Sequence, residues 1–186
     1  MCYNTGSRCM GGEVANMVEK ETLREHLLQW EGILSDFSLP AWDDFPALPL
    51  YMDQVIFLLN RYLAPLPEQA GEKRVTPAMI NNYVKSRLIP RPTGKKYSRE
   101  QIALLVMIVA LKQVSAMEEI RAMLALREGQ TVEALYAAFC NRFSDVIHSL
   151  RIDDADPLDA ALDFAILASG FRAGCAAALN GEVEES

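Results

Sequence analysis

Apolar residues recur along this chain in blocks of helical spacing, punctuated by proline and glycine. Over residues 13–37, Val14, Met17, Val18, Leu23, Leu27, Leu28, Ile33 and Leu34 approximate one stripe, which predicts a helix whose end Gly32 weakens. Pro40, Pro46 and Pro49 then forbid a regular helix. Trp42 and Phe45 give this segment an apolar grip, so it reads as a strap across the core. A second helix from Tyr51 to Leu63 turns Val55, Ile56, Leu58, Leu59 and Leu63 inward, and APLPEQAGEKR ends it as a loop. Thr76-Pro77 opens a third helix, with Thr as N-cap and Pro at the first helical position. Pro90 and Pro92 stop that helix near Arg87, and PRPTGKKY makes a tight turn with Gly94 near its tip and room for short wing strands.

Ser98 caps a fourth helix, apolar nearly all round from Ile102 to Leu111 and therefore the expected central core element. Ser115 is the expected cap of a fifth, with Glu118 at its third position and Ile120, Met123 and Leu124 inward. After Gly129, Thr131 caps a sixth helix whose Leu135, Phe139, Phe143, Val146, Ile147 and Leu150 form one stripe. Asp156-Pro157 opens a seventh, with Asp159 complementing the positive end of its dipole. The predicted fold class is all-α in the main. The expected organisation is a disordered start (1–12), an N-terminal helix and Pro-rich strap (13–49), a compact central unit (50–128), a C-terminal helical pair (129–180) and a tail (181–186).

The chain has 186 residues, 51% of them apolar and 23% charged, enough to bury a core without disulfides or metal. Its formal net charge of −7 hides a local reversal. From Lys73 to Lys112 there are nine Lys/Arg against the single acid Glu100, a balance of +8, while the rest of the chain carries −15. The island comprises Lys73, Arg74, Lys85, Arg87, Arg91, Lys95, Lys96, Arg99 and Lys112. A local field of this sign attracts phosphates whatever the remote acids do, although a solvated basic surface has the same composition.

The third helix sits inside that island. At 100° per residue, Met79, Ile80, Tyr83 and Val84 fall in a sector of about 140°, while Ala78, Asn81, Asn82 and Lys85 fall opposite. One side anchors the helix and the other presents a methyl, two amides and an ammonium. Asn pairs bidentately with adenine in the major groove, Ala touches a thymine methyl, and Lys reaches guanine or phosphate. An ordinary polar face is the other reading of the same residues. Arg91, Lys95 and Lys96 in the following turn suit phosphates or a minor groove, and Arg99 stands at a helix start where backbone N–H groups also suit a phosphate.

The stretch from Thr76 to Leu124 resembles the winged helix-turn-helix of MerR-type transcription regulators, whose pattern runs T-I-R-Y-Y, G-L-L-P-P, G-Y-R-x-Y, D-x-x-x-L-x-x-I and L-x-E-I-x-x-L-L. Met79-Ile80-Asn81-Asn82-Tyr83 holds the first place, Arg87-Leu88-Ile89-Pro90 the second and Gly94-Lys95-Lys96-Tyr97 the wing. Gln101, Leu105 and Ile108 follow the next spacing, and Met117-Glu118-Glu119-Ile120 with Met123-Leu124 matches the last. More specifically, LYMDQVIFLLNRYL, MINNYVKSRLIP and KKYSREQ, in that order, are similar to a bacterial family known as domain of unknown function 1836, over about residues 37 to 150. The resemblance implies a MerR-like DNA-binding fold with additional N- and C-terminal helices. It departs from the MerR pattern in having Asn81 in place of Arg, a shorter wing, a longer loop between Leu63 and Thr76, and no long coiled-coil helix or metal-binding cysteine cluster.

Catalysis finds little support. His26 and His148 lie in different helices, and there is no Gly-rich phosphate loop, G-x-S-x-G or H-E-x-x-H. Asp153, Asp154, Asp156, Asp159 and Asp163 lack the Gly and terminal Glu of a calcium loop. Cys2, Cys9, Cys140 and Cys175 make no C-x-x-C pair and read as free thiols of a reducing compartment. No enzyme activity, metal or cofactor is expected. The opening MCYNTGSRCMGGEV has no signal-peptide pattern, so a cytoplasmic location is expected. Ala160 to Leu179 is long enough to span a bilayer but contains Asp163 and Arg172, and is read as a buried or dimerising helix. The expectation is a dimeric, sequence-specific regulator that binds double-stranded DNA, because one short helix reads few bases and paired half-sites multiply specificity. About five phosphate contacts would give a log–log salt slope near −4.5. Two rivals remain: a protein-interaction module that docks an acidic partner on the basic face, and a sensor whose C-terminal helices enclose a small-molecule effector.

Overall fold

Hydrophobic stripes, caps and breakers produce seven α-helices in the order expected, seen in a computed structural model that describes residues 10–66, 74–125, 129–149 and 156–180. They are α1 (Met10–Ser35), α2 (Met52–Tyr62), α3 (Pro77–Lys85), α4 (Arg99–Leu111), α5 (Met117–Ala125), α6 (Val132–Ser149) and α7 (Pro157–Asn180). Two short strands, β1 (Leu50–Tyr51) and β2 (Lys96–Tyr97), pair antiparallel with Leu50 opposite Tyr97 and Tyr51 opposite Lys96. The start before Met10, the tail from residue 181, and Cys2, Cys9, Lys73, Leu150, Asp153 and Asp154 lie outside the described residues. Of the start expected to be disordered (1–12), residues 1–9 lie outside the described residues, and Met10, Gly11 and Gly12 belong to α1.

Local chemistry sets most boundaries. The Met79 N–H donates to Thr76 Oγ1 (3.3 Å), so Thr76 caps α3 with Pro77 at the first turn, where a missing N–H costs nothing. At α4 the Gln101 N–H donates to Ser98 Oγ (3.4 Å) while Gln101 Oε1 accepts from the Ser98 N–H (2.8 Å), a reciprocal capping box. The Ala134 N–H donates to Thr131 Oγ1 (3.2 Å) at the start of α6. The cap of α5 differs from expectation by one residue. Glu119, not Glu118, closes back onto the Ala116 N–H (2.6 Å), and Ser115 is buried one step earlier. With two successive acids, register decides which one reaches the orphan donor.

The core forms one cluster that runs from Phe37 to Tyr136. Helix α4 is its axis: Ile102, Ala103, Leu105, Val106, Met107, Ile108 and Val109 are all buried. The Pro-rich segment does strap across it, with a 3-10 turn at Trp42–Asp44 and Phe37, Leu39 and Phe45 buried. Phe45 meets Trp42, Tyr62 and Tyr136 edge to face, and Tyr136 Oη donates to Pro40 O (2.8 Å). His148 joins the same strap to α6, with Nε2 3.1 Å from Phe37 O and Nδ1 3.2 Å from Ser144 Oγ.

Two hydrophobic stripes are less buried than their periodicity suggests. In α1, Leu34 is buried but Leu23, Leu28 and Ile33 are exposed. In α6, Tyr136 is the buried anchor, while Leu135, Phe139 and Phe143 are half-buried and Val146 is exposed. Helix α7 departs furthest. It packs on α1 and α5 through Trp30–Phe164 and through Arg172, which pairs with Glu119 (3.6 Å) and donates to Val114 O. Of its described side chains only Ala160 is buried, and Leu162, Ile166, Leu167 and Phe171 face outward. The buried-helix reading of α7 is therefore wrong: the sequence shows an apolar run but not whether a neighbour covers it.

Candidate nucleic-acid interface

Helix α3 divides as its wheel predicts. Ile80 and Tyr83 are buried and Met79 and Val84 half-buried, while Ala78, Asn81, Asn82 and Lys85 are exposed together on the other side. Anchoring on one side fixes the rotation of the helix and hence the direction of the amides. The anchor has one uncompensated cost: the Tyr83 hydroxyl has no hydrogen-bond partner among the described residues, and burial pushes its pKa up.

The C-terminal end of α3 is turned by backbone geometry. The Leu88 N–H donates to Tyr83 O (3.0 Å) and the Arg87 N–H to Val84 O (3.1 Å), the paired bonds of a Schellman motif. Arg87 occupies the reversing position with φ +57°, a left-handed conformation that glycine adopts freely and that costs an L side chain about 1 kcal/mol or more. The reversal sends Leu88 and Ile89 back into the core and leaves Arg87 in solvent. Arg121 of α5 steadies this end by donating from Nη2 to Ser86 O (2.7 Å).

The basic turn that follows is a two-residue hairpin. Gly94 (φ +58°) and Lys95 (φ +63°) are its central residues, and the Lys96 N–H donates to Thr93 O (3.0 Å). Two successive positive φ values define a type I′ turn, whose twist suits an antiparallel pair. Its base is locked to α4, because buried Gln101 donates from Nε2 to Pro90 O (2.9 Å). The turn brackets α3. Lys95 lines a cavity with Thr76 and Pro77 at the start of the helix, and Arg91 lines a cleft of about 470 Å³ with Lys85 and Arg87 at its end.

The nine residues singled out from sequence separate into two groups. Ala78, Asn81, Asn82, Lys85, Arg87, Arg91 and Lys95 are exposed, and Lys85, Arg87, Arg91 and Lys95 make no ion pair among the described residues. Lys96 and Arg99 are half-buried and engaged within the molecule. The Lys96 ammonium lies 4.8 Å from the centre of the Tyr51 ring, and Arg99 lies over Trp42 and 3.5 Å from Asp43 Oδ1. Two further cations of the island are structural. Arg74 donates to the carbonyls of Asn60 in the last turn of α2 and of Ala64 and Leu66 beyond it, and Lys112 donates to Ser115 O (3.2 Å). Among the described residues, Asp53 shares the cavity of Lys95, and Glu100, whose carboxyl is held below its usual range by a hydrogen bond from Ser98, shares another with Arg91 and Lys96.

Sequence reasoning missed Tyr51, Gln101 as an anchor for the turn, and Arg121. In the sequence Gln101 stands in the MerR-like spacing with Leu105 and Ile108, which does not place its side chain on the turn. The pairing of Tyr51 with Lys96 crosses too much chain for any local pattern to register.

No curated protein and no solved structure matches this chain. One family model does match, over residues 40–139. That span takes in the strap, α2, α3, the basic turn, α4, α5 and the first part of α6, and it nearly coincides with the shared core. Helices α1 and α7 fall outside it. Since the match covers more than half of the 186 residues, the chain belongs to the family described as domain of unknown function (DUF1836).

Proposed function

We propose that this protein is a sequence-specific DNA-binding regulator of MerR-like, winged helix-turn-helix type that binds as a homodimer. In this reading α3 enters the major groove with Asn81, Asn82 and Lys85 against base edges and Ala78 near a thymine methyl, while Arg87, Arg91 and Lys95 hold the phosphates on either side. The observation that carries it is the exposed amide face of α3, flanked at both ends by cations with no acid partner among the described residues. Surfaces that serve only solubility spend Glu and Lys there, whereas this one offers paired donors and acceptors.

The second half of the proposal rests on α7. Leu162, Ile166, Leu167 and Phe171 spread over about half a turn of helix with Gly170 and Gly174 among them. A Cβ added at either glycine would meet nothing within 4 Å, so that side is open among the described residues. The helix is long and apolar enough to cross a membrane (Asp159–Leu179, mean hydropathy 1.4). Two features favour a second copy over lipid. Asp163 lies within the exposed face, where a bilayer would penalise it, and two ion pairs tie the helix to the rest of the chain, one at its start and one about two thirds along it: Lys20 to Asp156 (2.6 Å) and Arg172 to Glu119 (3.6 Å).

Duplex titration at several salt concentrations tests the assignment. Since Lys96 and Arg99 are engaged internally, Arg87, Arg91 and Lys95 are the expected phosphate contacts. They correspond to a log–log slope of about −2.7 per protomer and about −5.4 for the dimer, against the −4.5 that about five contacts gave from sequence. Lys95→Ala should weaken all duplexes alike and flatten the slope by about 1 per protomer, while Asn82→Ala should leave the slope unchanged. Affinity for duplex DNA that does not respond to salt overturns the assignment.

A further inference from the structure

A cavity of about 730 Å³ opens between α4, α5 and α6, on a part of the molecule separate from α3 and the basic turn. Its lining is almost wholly apolar. Met107 of α4 is fully buried in it, Met123 of α5 and Leu135 of α6 form walls, and Phe139 and Phe143 stand beside one another with ring centres 5.9 Å apart. The half-burial of the α6 stripe follows from this opening: those side chains face a space that the described residues do not fill. A volume between about 300 and 1,000 Å³ with an apolar lining and few polar groups is typical of a small-molecule site.

The polar groups narrow the ligand. Among the described residues, only Gln130 and Arg142 contribute polar side chains to the lining, and both are exposed. Among the described residues, Arg142 makes no ion pair and no acid lines the cavity. A guanidinium beside greasy walls is matched by a carboxylate carrying an apolar tail: the tail replaces water against Met and Phe, and the head accepts two parallel hydrogen bonds from the Arg fork. A cationic amphiphile would meet repulsion from Arg142, and a neutral one would forgo its charge-assisted bonds.

We propose that this cavity binds an amphipathic organic carboxylate, with the acyl or aryl tail among Met107, Met123, Phe139 and Phe143 and the head on Arg142. The site stands apart from the DNA reading, and its test uses no nucleic acid. Sodium decanoate, below its micellar concentration, and decan-1-ol would each be titrated into the full-length protein carrying ¹³C-methyl methionine. Decanoate should shift the methyl resonances of Met107 and Met123 saturably and leave those of Met52 and Met79 in place. Arg142→Ala should weaken decanoate about tenfold and leave decan-1-ol unchanged. Ala138→Trp, which fills the cavity from α6, should abolish both. If that variant does not fold, the methyl shifts of the unmodified protein decide. Absence of any shift at Met107 and Met123 at millimolar decanoate overturns the site. Equal binding of acid and alcohol, or indifference of decanoate to Arg142→Ala, overturns the assignment of an anionic head.

Discussion

Helices α4 and α7 contain the two long apolar runs of this chain, and they end in opposite environments. From Ile102 to Val109 only Leu104 escapes full burial, whereas of the described side chains of α7 only Ala160 is buried. Both are predominantly apolar, although α7 carries Asp163 and Arg172. Neighbours separate them: α4 lies between α2 and α6 beneath the strap, and α7 touches the body along one side, through α1 and α5. An apolar run therefore specifies only that a partner is wanted. For α4 the partner is the rest of the chain, and for α7 we assign it to a second copy.

The largest expected effect tests the buried member. Leu105→Ala in α4 should cost about 2–5 kcal/mol in denaturant unfolding, because it removes methyl groups from a fully packed site and leaves a void. Leu167→Ala in α7 should change the stability of the monomer by no more than about 0.5 kcal/mol, since the side chain is exposed there. Comparable losses in the two variants, measured at a concentration where the protein is monomeric, would remove the contrast. Phe171→Glu should convert the dimer to monomer in sedimentation velocity without lowering helix content, while a dimer that survives it is held together elsewhere.

Smaller effects sharpen the picture at the α3 anchor. Tyr83→Phe deletes a buried hydroxyl with no partner and should raise stability by about 1 kcal/mol. It also carries a pH signature. Burial raises the pKa of folded Tyr83 above the unfolded value near 10, so its contribution is complete below about pH 10 and is lost as pH rises through the folded pKa. Tyr83→Phe should accordingly lessen alkaline destabilisation, and an unchanged alkaline limb would remove Tyr83 as its source. Arg87→Gly should add about 1 kcal/mol by relieving the positive φ at the end of α3 while weakening duplex binding. That opposition of stability and affinity is what a strained functional position produces. A variant that gains stability and retains full affinity would make Arg87 a mere turn residue.

Much of this architecture was legible because it is local. Thr76-Pro77, Ser98 with Gln101, and Pro90 with Pro92 act within a few residues of themselves, and the two faces of α3 follow from 3.6 residues per turn. What failed was non-local. The charge count gave Arg74, Arg99 and Lys112 the same weight as Lys85, although the carbonyls around the end of α2, the Trp42–Asp43 turn and Ser115 O engage them. Strand β1 was invisible because Leu50 and Tyr51 become a strand only when Lys96 and Tyr97 arrive beside them. The exposure of α7 and the opening beside α6 belong to the same class, since periodicity reports that a face is apolar and not what meets it.

Selection of bound duplexes from random DNA, run in parallel on the unmodified protein and on Asn82→Ala and Lys85→Ala, tests the central claim most directly. The unmodified protein should enrich one sequence present as two half-sites, and each substitution should relax the preference at a defined base position while binding persists. Enrichment of no sequence, or of the same sequence undiminished by both substitutions, would contradict the assignment of base reading to α3.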